Sequence, residues 1–267
     1  MSKLEQALCE LNRMERASVR SSSLHALDAR AKLLVTLLFL VCVLSLPAAD
    51  LAGVILYLVY PIISSAVAGI GYGTVFRRSL LVLPFVLFIG IFNPILDRQV
   101  AFSVGRVAVT TGWLSFLSII LRGLLSAQAV FILIYATGFH NLCRSMRRMG
   151  VPSLLTTQLL FVYRYLFVLL QEALSMRRAR EARGFGRRGY PLKMWGLFIG
   201  QLLLRTIGRS ERIHRAMLSR GFNGSVEGIS YTRWTTRESV YAAAWACFFL
   251  LLRMYQPAGF FPLLMNS

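Results

Sequence analysis

The sequence predicts an all-α polytopic membrane protein, with about five transmembrane helices and further helices on the cytoplasmic side. Three observations carry this. Hydrophobic residues make up 56% of the 267 residues and charged residues only 15%, with a mean hydropathy of +0.60. Soluble domains hold about 45–50% apolar and about 25% charged residues, so an ordinary soluble enzyme is excluded, and the hydrophobicity excludes a disordered chain. The apolar residues gather at 33–95, 107–139 and 241–252. The charge gathers elsewhere. Of 30 Lys+Arg, which with 11 Asp+Glu give a net charge of +19, 16 fall between Arg144 and Arg220, where the only acids are Glu172, Glu181 and Glu211. The chain therefore reads as membrane spans plus one basic, water-facing insert.

Residues 1–32 carry mixed charge, and Leu4, Leu8, Leu11 and Met14 recur at helical spacing, which suits a segment at the membrane surface or in solution. So long a polar stretch before the first apolar run does not fit the n-region of a signal peptide, and 33–46 is expected to remain as a span. The first span is read at 33–49, followed by a short turn with Pro47 and Asp50. The second, 51–70, contains Pro61 and ends at Gly69, Gly71 and Gly73. The third, 79–96, contains Pro84 and is closed by Asn93-Pro94. Proline inside a spanning helix kinks it, and neighbouring helices satisfy the freed carbonyl.

The run 107–139 exceeds the roughly 20 residues that one span needs. It reads as one long helix over 111–138, tilted or broken; the alternative is two re-entrant pieces hinged at Arg122-Gly123. An arginine at bilayer depth costs about 2.5–3.5 kcal/mol on insertion scales. Arg122 is therefore expected to face protein or water, as an anchor to backbone carbonyls of another helix rather than in transport. The stretch 153–170 is apolar but carries Thr157, Arg164 and Gln171 at seven-residue intervals, and basic flanks on both sides: Arg144, Arg147 and Arg148, then Arg177, Arg178 and Arg180. Such flanks belong on one side of the membrane, so this helix is expected along or under the bundle on the cytoplasmic face. The short run 194–204 is likewise not expected to cross. The last span is 239–255, ended by Arg253.

The same charge rule places Arg30, Lys32, Arg77, Arg78 and everything from Arg144 onward inside, and the 47–50 and 97–106 loops outside. The C-terminus is then external. The domains follow: a cytoplasmic N-terminal segment 1–32, a transmembrane bundle of about four spans at 33–140, a cytoplasmic insert 141–238, a last span 239–255 and a tail 256–267.

Several chemistries find no residues. The three lysines precede Leu4, Leu33 and Met194, so there is no P-loop. His25, His140 and His214 are far apart, and Cys9, Cys42, Cys143 and Cys247 form no close-spaced pair, so no metal site is expected and the cysteines read as small buried side chains. No acid falls at bilayer depth, which disfavours a proton- or sodium-coupled carrier. No catalytic residues assemble, and an enzyme acting on lipid would need a convergent polar site. The basic insert lacks a nucleic-acid motif, so nucleic acid is not an expected partner, and the lipid bilayer is.

One pattern stands above composition. Ala179-x-x-x-Arg183-Gly184-Phe185 recurs as Ala216-x-x-x-Arg220-Gly221-Phe222, each after a helical stretch, 173–182 and 202–219. Glycine directly after a helix is the usual left-handed cap, which places the arginine in the last turn. There it complements the carbonyl end of the helix dipole. Two copies in one insert suggest two docking plugs, each offering a rigid five-donor cation to a carboxylate in a partner's groove.

With these residues the chain resembles the transmembrane T component of energy-coupling factor (ECF) transporters, the EcfT/CbiQ family. The matching elements are Leu24-His25-x-Leu27-Asp28-x-Arg30-x-Lys32, the Gly150-Val151-Pro152 turn, Tyr163-Arg164-Tyr165, Glu172, Ala182-Arg183-Gly184 and Glu211-Arg212 with Ala216-Met217-x-x-Arg220-Gly221-Phe222-x-Gly224. The resemblance implies a non-catalytic coupling subunit in the plasma membrane of a prokaryote. It would join two ABC-type ATPase subunits to a separate substrate-binding membrane subunit that takes up a vitamin or a transition metal such as cobalt. ATP would be used by the partner ATPases, with no cofactor bound by this chain. Two coupling helices would dock on the ATPases through Ala182, Arg183 and Gly184 and through Ser219, Arg220 and Gly221, Ser219 standing where alanine is common. The competing expectation is a membrane scaffold that recruits a cytoplasmic partner without transport.

Overall fold

The computed structural model describes residues 27–47, 51–96, 100–104, 107–183, 192–224 and 235–254. Asp50, Gly184 and the segments 1–26 and 255–267 lie outside the described residues. Eleven described helices run in the order α1 (Ala29–Leu44), α2 (Leu51–Leu56), α3 (Val59–Val67), α4 (Tyr72–Ser79), α5 (Leu83–Gly90), α6 (Asn93–Leu96), α7 (Thr111–Thr137), α8 (Phe139–Arg148), α9 (Ser153–Arg183), α10 (Leu192–Leu218) and α11 (Thr236–Met254). Between α6 and α7, where the sequence suggested a plain loop running into an apolar stretch, β1 (Val100–Val104) pairs antiparallel with β2 (Val107–Thr110), with a register irregularity between Val100 and Phe102. Contacts divide the chain into two compact units: α1–α7, the β-pair and α11 form one, and α8–α10 the other.

By length and composition α7 and α9 are able to cross a membrane, and α4 with α5 would make a third span if that pair, bent by 48°, counts as one. The expected second and third spans are broken rather than kinked. Each break lies two to four residues before a proline: Tyr57-Leu58 before Pro61, Leu80–Val82 before Pro84, and Ile91-Phe92 before Pro94. The pyrrolidine ring clashes with the carbonyl of residue i−4 and offers it no N–H. The chain answers with tighter turns, Tyr60 N–H donating to the Tyr57 carbonyl (3.2 Å) and Leu83 N–H to that of Leu80 (3.1 Å).

The run through Arg122 does the opposite. Thr111–Thr137 is one uninterrupted helix, which sets aside a hinge at Arg122-Gly123. Gly123 has a packing role: a Cβ there would lie 2.7 Å from Val86 Cγ2 of α5. Arg122 is the anchor the sequence suggested. Its guanidinium donates to the Leu46 carbonyl at 2.9 Å and to that of Pro47, just past the end of α1.

Helix α1 shows why the bundle forms. Ala31, Lys32, Val35, Thr36, Phe39 and Val43 are buried along one stripe, while Leu34, Leu37, Val41 and Leu44 are exposed on the other side. A helix apolar all round suits a lipid exterior. The stripe packs against an aromatic cluster, with Phe39 stacked on Tyr60 (centroids 4.5 Å), Trp245 edge-on to Tyr60 (4.9 Å) and Phe249 beside Phe39 (5.6 Å). Leu125 and Ala129 of α7 close the core.

Polar ties hold the ends of α1. Asp28 caps its start, its carboxylate accepting from Arg30 N–H at 3.0 Å. Lys32, only 4% exposed, donates to the Ala136 carbonyl at the C-terminal end of α7 (3.0 Å). Near that same end, Arg78 lies over the Tyr135 ring at 5.1 Å, so Lys32 and Arg78, both assigned to the inside by charge, converge there. At the other end of α1, Arg253 of α11 donates to the Ser45 carbonyl and hydroxyl, each at 3.1 Å. Helix α11 opens with a capping box, the Glu238 carboxylate accepting from Thr235 N–H at 2.7 Å. Of the cysteines, Cys143 is buried, Cys42 half-buried and Cys247 exposed, so the expectation of burial fails for Cys247.

Two outcomes follow for the detergent-solubilised protein. Gly123→Ala lowers stability by about 1–3 kcal/mol through overpacking against Val86, and adding Val86→Ala recovers most of it in a thermal unfolding assay. Lys32→Met leaves the Ala136 carbonyl without that donor and costs about 1–3 kcal/mol in the same assay; an unchanged midpoint would sink the tie.

Candidate functional site

The unit formed by α8, α9 and α10 carries the basic insert. Its first corner is built by Gly150, at φ +99°. Gly150 N–H donates to the Arg147 carbonyl and Val151 N–H to that of Met146, the bond pair of a Schellman cap. Pro152 then stands just ahead of the next helix, where a missing N–H is harmless. Phe139 of α8 stacks on Tyr163 of α9 at 4.5 Å.

Helix α9 extends well past the apolar stretch. It is continuous from Ser153 to Arg183 over 31 residues, joining two segments the sequence separates. The reading of 153–170 as a helix that does not cross rested on its polar stripe and its basic flanks, whereas by length and composition alone α9 is able to span. Of its polar stripe, Thr157 is buried, and Arg164 and Gln171 are exposed.

The acids of this unit sort by geometry. Glu181 accepts from Arg177 at 2.7 Å and Glu211 from Arg215 at 3.4 Å, both at i,i+4 spacing along one helix. Glu172 joins two helices: Arg205 of α10 donates to it at 2.6 Å, and Arg209 lies at 4.0 Å. The first two pairs are legible from sequence. The third is not, because it depends on how α9 and α10 cross. Its only sequence signal is that Glu172 is an acid with no basic residue three or four positions away.

The two repeated elements both end helices. Ala182 and Arg183 are exposed at the end of α9. Arg183 borders a cleft of about 310 Å³ whose other walls include Met176 and Arg180 of α9 and Met194, Leu197 and Phe198 of α10. At the end of α10, Gly221 adopts φ +78°. Gly221 N–H donates to the Leu218 carbonyl and Phe222 N–H to that of Met217, again a Schellman cap. Ser219 Oγ donates back to the Arg215 carbonyl at 3.0 Å, so serine is accommodated in the last turn. Phe222 returns toward Phe161 of α9 (centroids 6.3 Å), and Arg220 stays exposed at the tip. Among the described residues, no three His, Cys, Asp or Glu side chains come together as metal ligands.

The family model described as CbiQ, cobalt transport protein, matches residues 20–231. Relatives include an uncharacterized protein of Methanocaldococcus jannaschii, 33% identical over 96 residues, covering 35% of this chain and 32% of that protein. The cobalt transport protein CbiQ of Salmonella typhimurium is 33% identical over 94 residues, covering 34% of this chain and 41% of that one. The nickel permease LarQ of Lactiplantibacillus plantarum is 30% identical over 103 residues, covering 39% and 36%. The chain thus matches about a third to two fifths of the length of these curated relatives.

Gly221 has open space where a Cβ would stand, so its requirement is backbone conformation alone. Gly221→Ala is expected to cost about 1–2 kcal/mol of local stability, read as faster hydrogen exchange at the amides of 221 and 222, and Gly221→Asn less. Equal exchange in all three proteins would overturn the capping assignment.

Proposed function

The chain belongs to the CbiQ family of cobalt transport proteins, and from that premise we propose that it is the coupling subunit of an ECF-type importer, an integral, multi-pass component without catalytic residues of its own. The cargo we infer is a transition-metal ion, cobalt or nickel, in keeping with the names that relatives bear. Recognition of that ion, and the hydrolysis of ATP, belong to other subunits: a substrate-binding membrane protein and two ABC-type ATPases.

The observation that carries this reading is that the two long helices α9 and α10 each lead to an exposed arginine followed in sequence by a glycine, Arg183 as the last residue of α9 and Arg220 in the turn just past α10. Each arginine offers a planar, permanently charged fork of donors to a partner's carboxylate. At Arg220 the capped turn redirects the chain at Gly221, and the arginine itself is exposed. At Arg183 the adjoining cleft adds methionine and phenylalanine surface, a soft apolar seat for a docking element. Ala182 and Ser219 stand beside these arginines as small residues that let a partner approach, with Gly184 and Gly221 following.

Motion would pass along the chain itself. ATP binding draws the two ATPases together, and Arg183 and Arg220 hold α9 and α10 to them. Glu172 keeps the two helices linked through Arg205. From α9 the chain runs through the capped turn at Gly150 into α8, and through Gly138 alone into α7, so the covalent path from α9 to α7 is short.

Charge reversal tests the docking. In Arg183→Glu/Arg220→Glu, co-purification of the ATPases and metal uptake should each fall by about tenfold or more, which corresponds to about 1.4 kcal/mol of lost interaction. Normal uptake in the double variant would sink the reading. Stable capture of a partner lacking ATPase activity would favour a scaffold instead.

A further inference from the structure

Helices α1 and α11 run parallel, side by side. Phe39 of α1 lies beside Phe249 of α11 (5.6 Å), and further along both helices Arg253 donates to the Ser45 carbonyl and hydroxyl. Two stripes meet at that tie. On α1, Leu34, Leu38, Val41 and Ser45 recur at spacings of four, three and four residues. On α11, Ala243, Ala246, Leu250 and Arg253 recur at three, four and three. Such spacings keep each set on one face of its helix, so the stripes flank one valley that descends from Arg253 and Ser45. Leu38 packs against the core at its floor. Leu34, Val41 and Leu250 are exposed on its sides, and the two alanines leave the α11 side low.

The mouth of the valley is cationic. A guanidinium has five N–H donors; that of Arg253 is exposed and gives two of them to Ser45. Among the described residues no carboxylate pairs with Arg253. Arg122 brings a second guanidinium to the same end of α1, at the Leu46 and Pro47 carbonyls. An arginine set above exposed aliphatic side chains on a membrane helix belongs at the level of the lipid headgroups. From Ser45 to Leu34 the descent is eleven residues, about 16 Å along the helix. That matches one leaflet's half of a hydrocarbon core about 30 Å thick. An anionic phospholipid supplies both parts, a phosphate for the guanidinium and a chain for the valley. The cationic group of a zwitterionic lipid meets no described carboxylate at this mouth.

We propose that the valley between α1 and α11 binds an anionic phospholipid, its phosphate on Arg253 and one acyl chain between the Val41–Leu34 and Leu250–Ala243 stripes. The site stands apart from the docking roles of Arg183 and Arg220, so its failure would leave that reading intact.

The test uses the full chain purified in mild detergent, with phosphatidylglycerol titrated in and bound lipid counted by native mass spectrometry. One phosphatidylglycerol should be held more tightly than any phosphatidylcholine; equal binding of the two would overturn the headgroup contact. Arg253→Gln should weaken phosphatidylglycerol binding about fivefold, as expected for one basic residue at a lipid surface. Arg237→Gln, which removes the same charge from the opposite end of α11, should leave binding unchanged. Ala243 is exposed, so Ala243→Leu fills the lower valley without crowding the core and keeps Arg253 on Ser45. That variant should lose affinity for the lipid while its thermal midpoint stays in place. Equal weakening by Arg237→Gln would overturn the site in favour of general positive charge, and full binding in Ala243→Leu would overturn the valley. Displacement of the lipid by millimolar inorganic phosphate would reassign Arg253 to a free anion. Loss of a co-purifying membrane subunit in Ala243→Leu, with lipid binding intact, would give the valley to a partner's helix.

Discussion

The last carbonyls of a helix have no partner within it, and hydrocarbon offers none either. The bundle depends on how that shortage is met: basic side chains from neighbouring helices donate to the helix ends. Lys32 serves the end of α7 at Ala136, while Arg122 and Arg253 serve the end of α1 at Ser45, Leu46 and Pro47. The same bonds solve the opposite problem, since a charge placed at depth is costly until it is paired. Three helices, α1, α7 and α11, are thereby fixed at defined heights, with the aromatic cluster of Phe39, Tyr60, Trp245 and Phe249 between the ties. Arginine suits the α1 end because one guanidinium reaches two carbonyls. Lysine suits the α7 end, where a single buried donor meets a single carbonyl.

The chain divides its helices into stiff and interrupted ones, and proline decides which. Segments with Pro61, Pro84 and Pro94 are cut into pieces of four to nine residues, from α2 to α6. Helices α7, α9 and α10, without internal proline, run 27, 31 and 27 residues. Under the proposed coupling role the unbroken helices would serve as rods, and the left-handed glycines Gly138 and Gly150 as joints.

In the basic insert, pairing separates structural charge from available charge. Glu181 and Glu211 fasten arginines along their own helices, and Glu172 fastens α9 to α10. With so few acids against so many arginines, most of the positive charge is left to meet something outside these local pairs. Exposed pairs of this kind add little stability, about 0–1 kcal/mol each. Their effect is to orient side chains, and so to determine which guanidinium groups face outward.

Much of this was legible in the sequence. Hydropathy and charge separation gave the membrane class, because apolar runs of that length have no other stable setting in a chain so poor in acids. Glycine after an arginine-rich helical stretch located the capped end at Gly221, since only a residue without a Cβ takes φ +78° without strain. Arg122, a charge within an apolar run, pointed to a carbonyl anchor for reasons of cost alone. What the tertiary structure decided was every relation across helices: that Arg122 meets the end of α1, that Glu172 meets Arg205, that Gly123 makes room for Val86, and that proline breaks a helix outright rather than bending it. Local spacing reports on neighbours three or four residues apart in one helix. A partner on another helix depends on where two helices cross, and the crossing is set by packing of whole surfaces, which no short stretch of sequence contains.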